Sequence, residues 1–433
     1  MTWDFETDPD FQQKLDWADA FVRQEVEPLQ FVLDSAYDVK NPLFQRLVRP
    51  LQAEVRRQKL WACHLEPELG GEGYGQVKLA LLNEILGRAR FAPVVFGAQA
   101  PDSGNAEILA RFGTHEQKER FLKPLLANEI VSAFSMTEPQ GGSDPTQFQT
   151  TAVADGDDWV INGEKWFISS GPFAAFHIVM AITDPEAKPV NRLSMLLVPA
   201  DTPGIETVRV ASIAGHRTPS HSYFRYNNVR VPKDYMLGEP GQGFAVAQTR
   251  LGGGRVHHAM RTLGEAQKAF DMVCERVISR QAQGGRLGDR QMVQEKIADS
   301  WIEIEQFRLL LMRTAWRIDH YNDYMKVRRD IAAIKAQMPK LLHDVVARAL
   351  HLHGAYGISD EMPFLSMIAN SFVMGLADGP TEIHKVTVAR QTLRTYTPSP
   401  DLFPAYSMLN KQAAADEKFR DVLEGLTLET AHT

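Results

Sequence analysis

Late in the chain the stretch LADGPTEIH, Leu376 to His384, holds an acidic side chain that could be a turn residue or a proton acceptor. Asp-Gly-Pro is ordinary punctuation: Asp bonds its own backbone, Gly supplies positive φ and Pro stops a helix. The same carboxylate, Asp378, could remove a proton from a carbon acid laid against it. Two glycine clusters could approach an anion. EPQGGSD, Glu138 to Asp144, follows an apolar run, and small residues there would let backbone N–H groups and the Ser143 hydroxyl reach a phosphate. It lacks the Lys of a Walker loop. LGGGR, Leu251 to Arg255, lacks the glycine spacing of a dinucleotide fingerprint, so each cluster also reads as a plain loop. Arg255 carries a planar fork that suits a phosphate, a buried carboxylate or a surface ion pair. Adjacent His257 and His258 point in different directions on a helix. His351 and His353, two apart, lie on different faces, so neither pair chelates as i, i+4 histidines would. Both pairs read as structural or solvent-facing. Neither HExxH nor G-x-S-x-G occurs, which leaves zinc proteolysis and serine hydrolysis without support, and no metal ligands are predicted.

The frame that must position these groups is large. With 433 residues, 44% hydrophobic and 23% charged, the chain can bury two or three cores. A net charge of −7 without a basic stripe gives no sign of nucleic-acid binding. Cys63 and Cys274, the only cysteines, fit a reducing compartment. The start, MTWDFETDPDF, has no basic n-region ahead of an apolar core, and runs such as AAFHIVMAI are too short to span a bilayer. The expectation is a cytoplasmic protein without a membrane span. Phe11, Leu15, Ala18, Val22 and Val26 step at helical spacing, and helix is predicted to about Asn128. Between Ile130 and Pro240 the period shortens. Asn162-Gly163 in DDWVINGEKWFIS predicts a hairpin turn, and HIVMAIT, RLSMLLVPA and YFRYNNVRVP predict further strands. Helix returns after Gly243, with Ile297, Trp301, Ile304, Leu311, Ala315 and Ile318 on one face and a second pattern from Arg329 to Leu352. The predicted fold is mainly α with a central β-domain: residues 1–129 helical, 130–241 a β-barrel or sandwich, 242–395 a helical bundle. Residues 396–433 form a Pro-punctuated, charged tail that orders only by docking.

Five segments, FSMTEPQGGSD, NGEKWFISSG, VRVPKDYMLGEPGQGF, HLHGAYGIS and DGPTEIHKVTVAR, resemble the successive signatures of the acyl-CoA dehydrogenase family. They occur in that family's order and cover nearly the whole chain. GHRTPSHSYFRYNNVRVP and the Asp of LADGP are most similar to the branch whose animal members include forms fused to a kinase-like domain. The resemblance implies a helical domain, a β-domain and a four-helix bundle around FAD. It also implies an acyl-CoA thioester held between flavin and a carboxylate, and a 2-enoyl-CoA product. It places the base on Asp378, where most members carry Glu, with its pKa raised by a closed apolar site. Arg255 would steady the base or the acyl end, and Gly379 and Ser143 would also touch substrate. The cofactor positions it implies are Phe134, Met136, Thr137, Gly142, Ser143, Phe167 (for the usual Trp) and Ser169 (for Thr). Gly354 and Glu382 are further cofactor positions, and a neighbouring subunit would add Arg280, Gln291, His351 (for Gln) and Pro380 (for Thr), with Gln283 in place of a Phe. Partners implied are an electron-transferring flavoprotein and a homodimer or homotetramer. The same branch suggests an alternative, 4-hydroxyacyl-CoA processing through a 4-phosphooxy intermediate, with Arg255, Gly252 to Gly254 and His216 or His221 near the extra anion. A third class is a non-catalytic flavin or acyl-CoA scaffold with Asp378 as a cap.

Overall fold

The computed structural model describes residues 6–214, 218–400 and 402–431; His216 lies outside them. The first helices begin where the chain supplies caps. The Asp8 carboxylate accepts from Phe11 N ahead of Pro9, starting α1 (Pro9–Phe21), and Asn41 does the same for Leu43 N ahead of Pro42, starting α2 (Pro42–Arg57). The stripe Phe11, Leu15, Ala18, Val22 and Val26 is buried throughout, although a π-turn takes over at Val22. Helices α3 (Gly75–Leu86), α4 (Ala92–Val95), α5 (Asp102–Phe112), α6 (His115–Gln117) and α7 (Lys123–Leu126) complete the first third.

Seven strands follow: β1 (Val131–Ser135), β2 (Thr151–Asp155), β3 (Asp158–Ser169), β4 (Ala174–Ile182), β5 (Leu193–Pro199), β6 (Ile205–Ala211) and β7 (His221–Pro232). They form one mixed sheet in the order β1-β4-β2-β3-β7-β6, with β5 added on β4. The sheet curls, so that Ile161, Val179, Leu196 and Phe224 build one core on its inner side. Phe176, Ile178 and Met195 pack outward with Leu109 of α5 and Leu122.

The hairpin does not turn at Asn162-Gly163. Strand β3 runs straight through that pair, and the turn lies at Gly156-Asp157, between the paired Asp155 and Asp158. At Gly163 a side chain would meet Thr150 Oγ1 at 2.4 Å, so glycine is there for close approach and not for chain reversal.

The last third is built on α8 (Gly243–Ser279), α9 (Gln291–Tyr321), α10 (Tyr324–His353) and α11 (Phe364–Leu376), with α10 packed on the other three. A two-residue ribbon, β8 (Gln281–Ala282) with β9 (Gly285–Arg286), joins α8 to α9. Ile304, Leu311, Ala315 and Ile318 are buried as predicted, but Trp301 is 56% exposed, because Ser300 occupies the inward position at that turn. The Gly252-Gly253-Gly254 run is not a loop. It sits inside α8, where its backbone N–H groups are committed to the helix, and this removes it as an anion cradle. No described helix is long and apolar enough to cross a membrane.

Contacts divide the chain into one unit up to Val386 and a second from Thr387 onward, the division falling within α12 (Thr381–Leu393). The second unit carries α13 (Met408–Lys418) and α14 (Arg420–Ala431). No residue of α13 is buried, and Leu402, Phe403, Tyr406 and Met408 are exposed.

Candidate active site

The LADGP stretch forms the turn between α11 and α12. Asp378 and Gly379 have φ of +55° and +101°, so the backbone is a left-handed turn, a conformation Asp tolerates. Its carbonyl oxygen accepts from Arg255 Nε at 3.0 Å and lies 3.3 Å from His384 Nε2. With the main chain held there, the side chain is turned inward and is only 14% exposed. Oδ1 lies 3.5 Å from Arg250 Nη1 and Oδ2 lies 3.7 Å from His258 Nε2. Arg250, Gly254 and His258 are four residues apart on α8 and therefore share a face. Gly254 opens that face: a Cβ there would stand 2.9 Å from Asp378 Oδ2.

Further groups converge from other elements. Lys335 of α10 is fully buried and donates to the Met374 carbonyl at 2.5 Å, near the end of α11. The Arg250 guanidinium lies 4.1 Å from the Phe134 ring centre, and its Nε donates to Asn105 Oδ1 at 3.1 Å. Asn105 Nδ2 donates to Ser132 Oγ, and Ser132 donates through both N and Oγ to Asp102 Oδ1. Burial pushes the Asp102 and Glu107 carboxyls up to about 7 and pulls Lys335 down to about 8 and His258 to about 4.

Asp378 behaves differently from what an apolar pocket would impose. Burial raises its pKa, but Arg250, His258, Arg255 and Lys335 together outweigh burial and hold the carboxyl below its ordinary value. The expectation of a raised pKa is corrected by this cationic surround.

On the β-domain side, Met136, Thr137, Gly142 and Ser143 lie on the segment leading from β1 to β2. That segment is pinned by a buried ion pair: Lys165 Nζ donates to Glu138 Oε1 and to the Met136 carbonyl, both at 2.8 Å, and Glu138 also accepts from Gln149 N and Thr150 N. The Thr137 carbonyl accepts from Trp166 N at 3.0 Å. Ser143 is exposed, and nothing lies within 4 Å of where a Gly142 side chain would begin. Phe167, at φ +52°, is 54% exposed beside Trp166. Ser169 Oγ pairs with His221 Nε2 at 3.0 Å, and His221 Nδ1 with Ser220 Oγ at 3.0 Å.

Phe134, Arg255, Asp378, Gly379, Pro380 and Glu382 thus gather at or beside the turn, although Glu382 is exposed. Arg280, Gln291, His351 and Gly354 do not join them. Arg280 ends α8, 280 − 255 = 25 residues beyond Arg255, about 37 Å along one helix axis at 1.5 Å per residue. Gln291 opens α9, while His351 and Gly354 close α10, all exposed. Inspection of the sequence missed Arg250, His258 and Lys335. Their signal was the four-residue stride R-x3-G-x3-H on α8, which acquires meaning only once Asp378 is known to face it.

Comparison with known proteins places most of the chain among relatives. Family models described as the N-terminal, middle and C-terminal domains of acyl-CoA dehydrogenase match residues 8–129, 133–229 and 241–393. The Mycobacterium tuberculosis protein named probable acyl-CoA dehydrogenase FadE2 is 42% identical over 80% of this chain and 86% of its own length. Mouse acyl-CoA dehydrogenase family member 11 is 36% identical over 88% of this chain, which spans 50% of that relative; mouse family member 10 is 38% identical, and the chain spans 36% of it. Among solved structures, butyryl-CoA dehydrogenase from Megasphaera elsdenii has a TM-score of 0.78 at 28% identity, covering 90% of this chain and all of that one. The FAD complex of PigA, at 22% identity and a TM-score of 0.79 over 90% of this chain and 99% of the other, shares the fold.

Proposed function

The chain belongs to the acyl-CoA dehydrogenase family of oxidoreductases, and from that premise we propose that it binds FAD and oxidises a saturated acyl-CoA to its 2-enoyl-CoA. The reading is carried by one observation: an inward-turned carboxylate, Asp378, whose backbone is clamped by Arg255 and whose oxygens face Arg250 and His258.

The residues fit a flavin. Phe167 offers a half-exposed aromatic ring, the Gly142 backbone is open, and the hydroxyls of Thr137, Ser143 and Ser169 are the donors a diphosphate and a polar ring system need. Phe134 and Met136 flank them. Bound FAD would supply the two-electron acceptor that side chains lack. The chain's own groups do the rest. Asp378 takes the α-proton at its carboxylate. Arg255 fixes the turn so that the base does not swing away. Arg250 and Lys335 keep the carboxylate ionised, which weakens it as a base, and the same positive field favours the negative charge that develops on the thioester as the proton leaves. Gly379 and Ser143 are assigned to the substrate side.

Arg280, Gln291, His351 and Gly354 would serve a second copy in a homodimer or homotetramer, since α8 separates Arg280 so far from Arg255 within one chain; Pro380 and Glu382, beside the turn, are assigned to the cofactor side. An electron-transferring flavoprotein is the proposed acceptor.

A surplus of cation favours a second reading. Arg250, Arg255 and Lys335 meet Asp378 at the turn. Burial pushes Asp102 and Glu107, which also act on Arg250, toward their neutral forms, and this leaves positive charge for an anion on the acyl chain, as a 4-phosphooxyacyl-CoA would carry. That reading loses Gly252 to Gly254, and His221 is already engaged by Ser169 and Ser220. Anaerobic titration with straight, branched and 4-substituted acyl-CoAs tests the set. Bleaching of oxidised flavin, abolished by Asp378→Asn with FAD retained, is the expected result. Phosphate release from the 4-phosphooxy substrate without bleaching would favour the second reading, and neither response would leave a binding scaffold.

A further inference from the structure

Taking a proton changes what Asp378 needs. As a carboxylate it is well served, because Arg250, Arg255 and Lys335 all bring positive charge to it. As a carboxylic acid it carries an O–H that must donate, and neither guanidinium nor ammonium has a lone pair to receive it. Among the charged and titratable groups that act on Asp378, only His258 has one. Its Nε2 faces Oδ2 at 3.7 Å, with the side chains 20% and 14% exposed. That separation is too long for a hydrogen bond. With the ring neutral and its proton on Nδ1, the Nε2 lone pair faces Oδ2 across that gap. The ring is also kept neutral by its neighbours. Arg250 and Arg261 of α8 and Lys335 of α10 face it with positive charge, His257 adjoins it, and burial adds to the effect, against Asp378 alone.

We propose that His258 is the second station for the α-proton, acting through Asp378 as a positioning and relay residue; this rests on the dehydrogenase reading above. The Cα–H bond breaks with its electron pair left on carbon, and an O–H forms at Asp378. That O–H then breaks as an N–H forms at His258 Nε2, restoring the carboxylate beside its cations. The imidazolium proton passes to water as product leaves. The two electrons depart with the β-hydrogen to FAD, the oxidant of that reading. A relay resolves the conflict in the site, where the surroundings that orient the carboxylate also resist its protonation.

The test uses holoenzyme and His258→Phe and His258→Gln, the first removing the acceptor and the second keeping an oxygen acceptor that cannot hold the proton. A thioester with sulfur in place of the β-carbon can lose its α-proton but offers no β-hydride, so α-deprotonation is read apart from flavin reduction. In the phenylalanine variant α-deprotonation falls about a hundredfold, at the lower end of general acid–base contributions, and its pH profile shifts. The glutamine variant recovers part of the rate with a profile still unlike wild type. In wild type, which needs no variant to fold, the 15N resonance of His258 moves to its protonated position when the analogue binds. A wild-type rate and profile in His258→Phe, or an unmoved imidazole signal, overturns the relay while leaving flavin bleaching by wild type intact. If wild type bleaches with no acyl-CoA at all, the dehydrogenase reading falls and the relay with it.

Discussion

Gly254→Ala separates the chemistry of the turn from its stability. The new Cβ would lie 2.9 Å from Asp378 Oδ2, where ordinary contact begins at 3.4 Å, so the carboxylate must retreat by at least 3.4 − 2.9 = 0.5 Å. It cannot retreat freely, because Arg255 holds its main chain and Arg250 and His258 flank its oxygens. The substitution lies inside α8, where exchanging Gly for Ala favours the helix by roughly 0.5–1 kcal/mol. Stability should therefore hold or rise while reactivity falls. A misplacement of 1 Å costs on the order of 10²-fold, so half of that predicts a loss of about tenfold. The assay is stopped-flow bleaching of flavin by a good acyl-CoA, run beside thermal unfolding and FAD content. A G254A enzyme that bleaches within about threefold of wild type, with stability unchanged, would refute the placement of the base, since a tenfold effect corresponds to only about 1.4 kcal/mol.

Other perturbations reach the site through different contacts. Lys335→Met removes one of the cations that lower the Asp378 pKa, so the acidic limb of the kcat/KM profile, where activity is lost as the carboxylate protonates, should move to higher pH. Lys165→Met strands the Glu138 carboxylate in the interior; breaking a buried pair predicts a loss of about 3 kcal/mol or more in denaturant unfolding, and the loosened Met136 to Ser143 segment should release FAD more readily on dilution. His177 is buried, and burial holds it down to about 4 from an ordinary 6.5. The unfolded chain therefore binds more protons between those values, and stability should fall as pH drops through that window, by up to about 1.4 kcal/mol per pH unit from this group; a melting temperature flat from about pH 6.5 to 4 would contradict it.

Much of the architecture is readable without coordinates because it is local. The stripe from Phe11 to Val26 announces a buried face, and HIVMAIT and RLSMLLVPA announce strands that pair as β4 and β5. The family signatures place Asp378 and Arg255 in the region where they meet. Errors arose where one local pattern serves two purposes. Asn162-Gly163 looks like a turn, yet Gly163 is demanded by Thr150, which leads into the paired strand β2. Gly252 to Gly254 looks like a loop, yet the helix uses glycine at position 254 to let a carboxylate approach. Trp301 falls at the rim of its stripe, where spacing alone does not say which neighbour is buried.

By itself the sequence determined the order of helical, β and helical segments and an acidic residue poised in a turn, because each depends on neighbours a few positions away. Only the tertiary structure decided the electrostatics of that residue. Arg250 and His258 come from α8, Lys335 from α10 and Asp378 from the far side of α11, and the proton affinity of a buried carboxyl is set by charges that meet in space, which no spacing along the chain encodes.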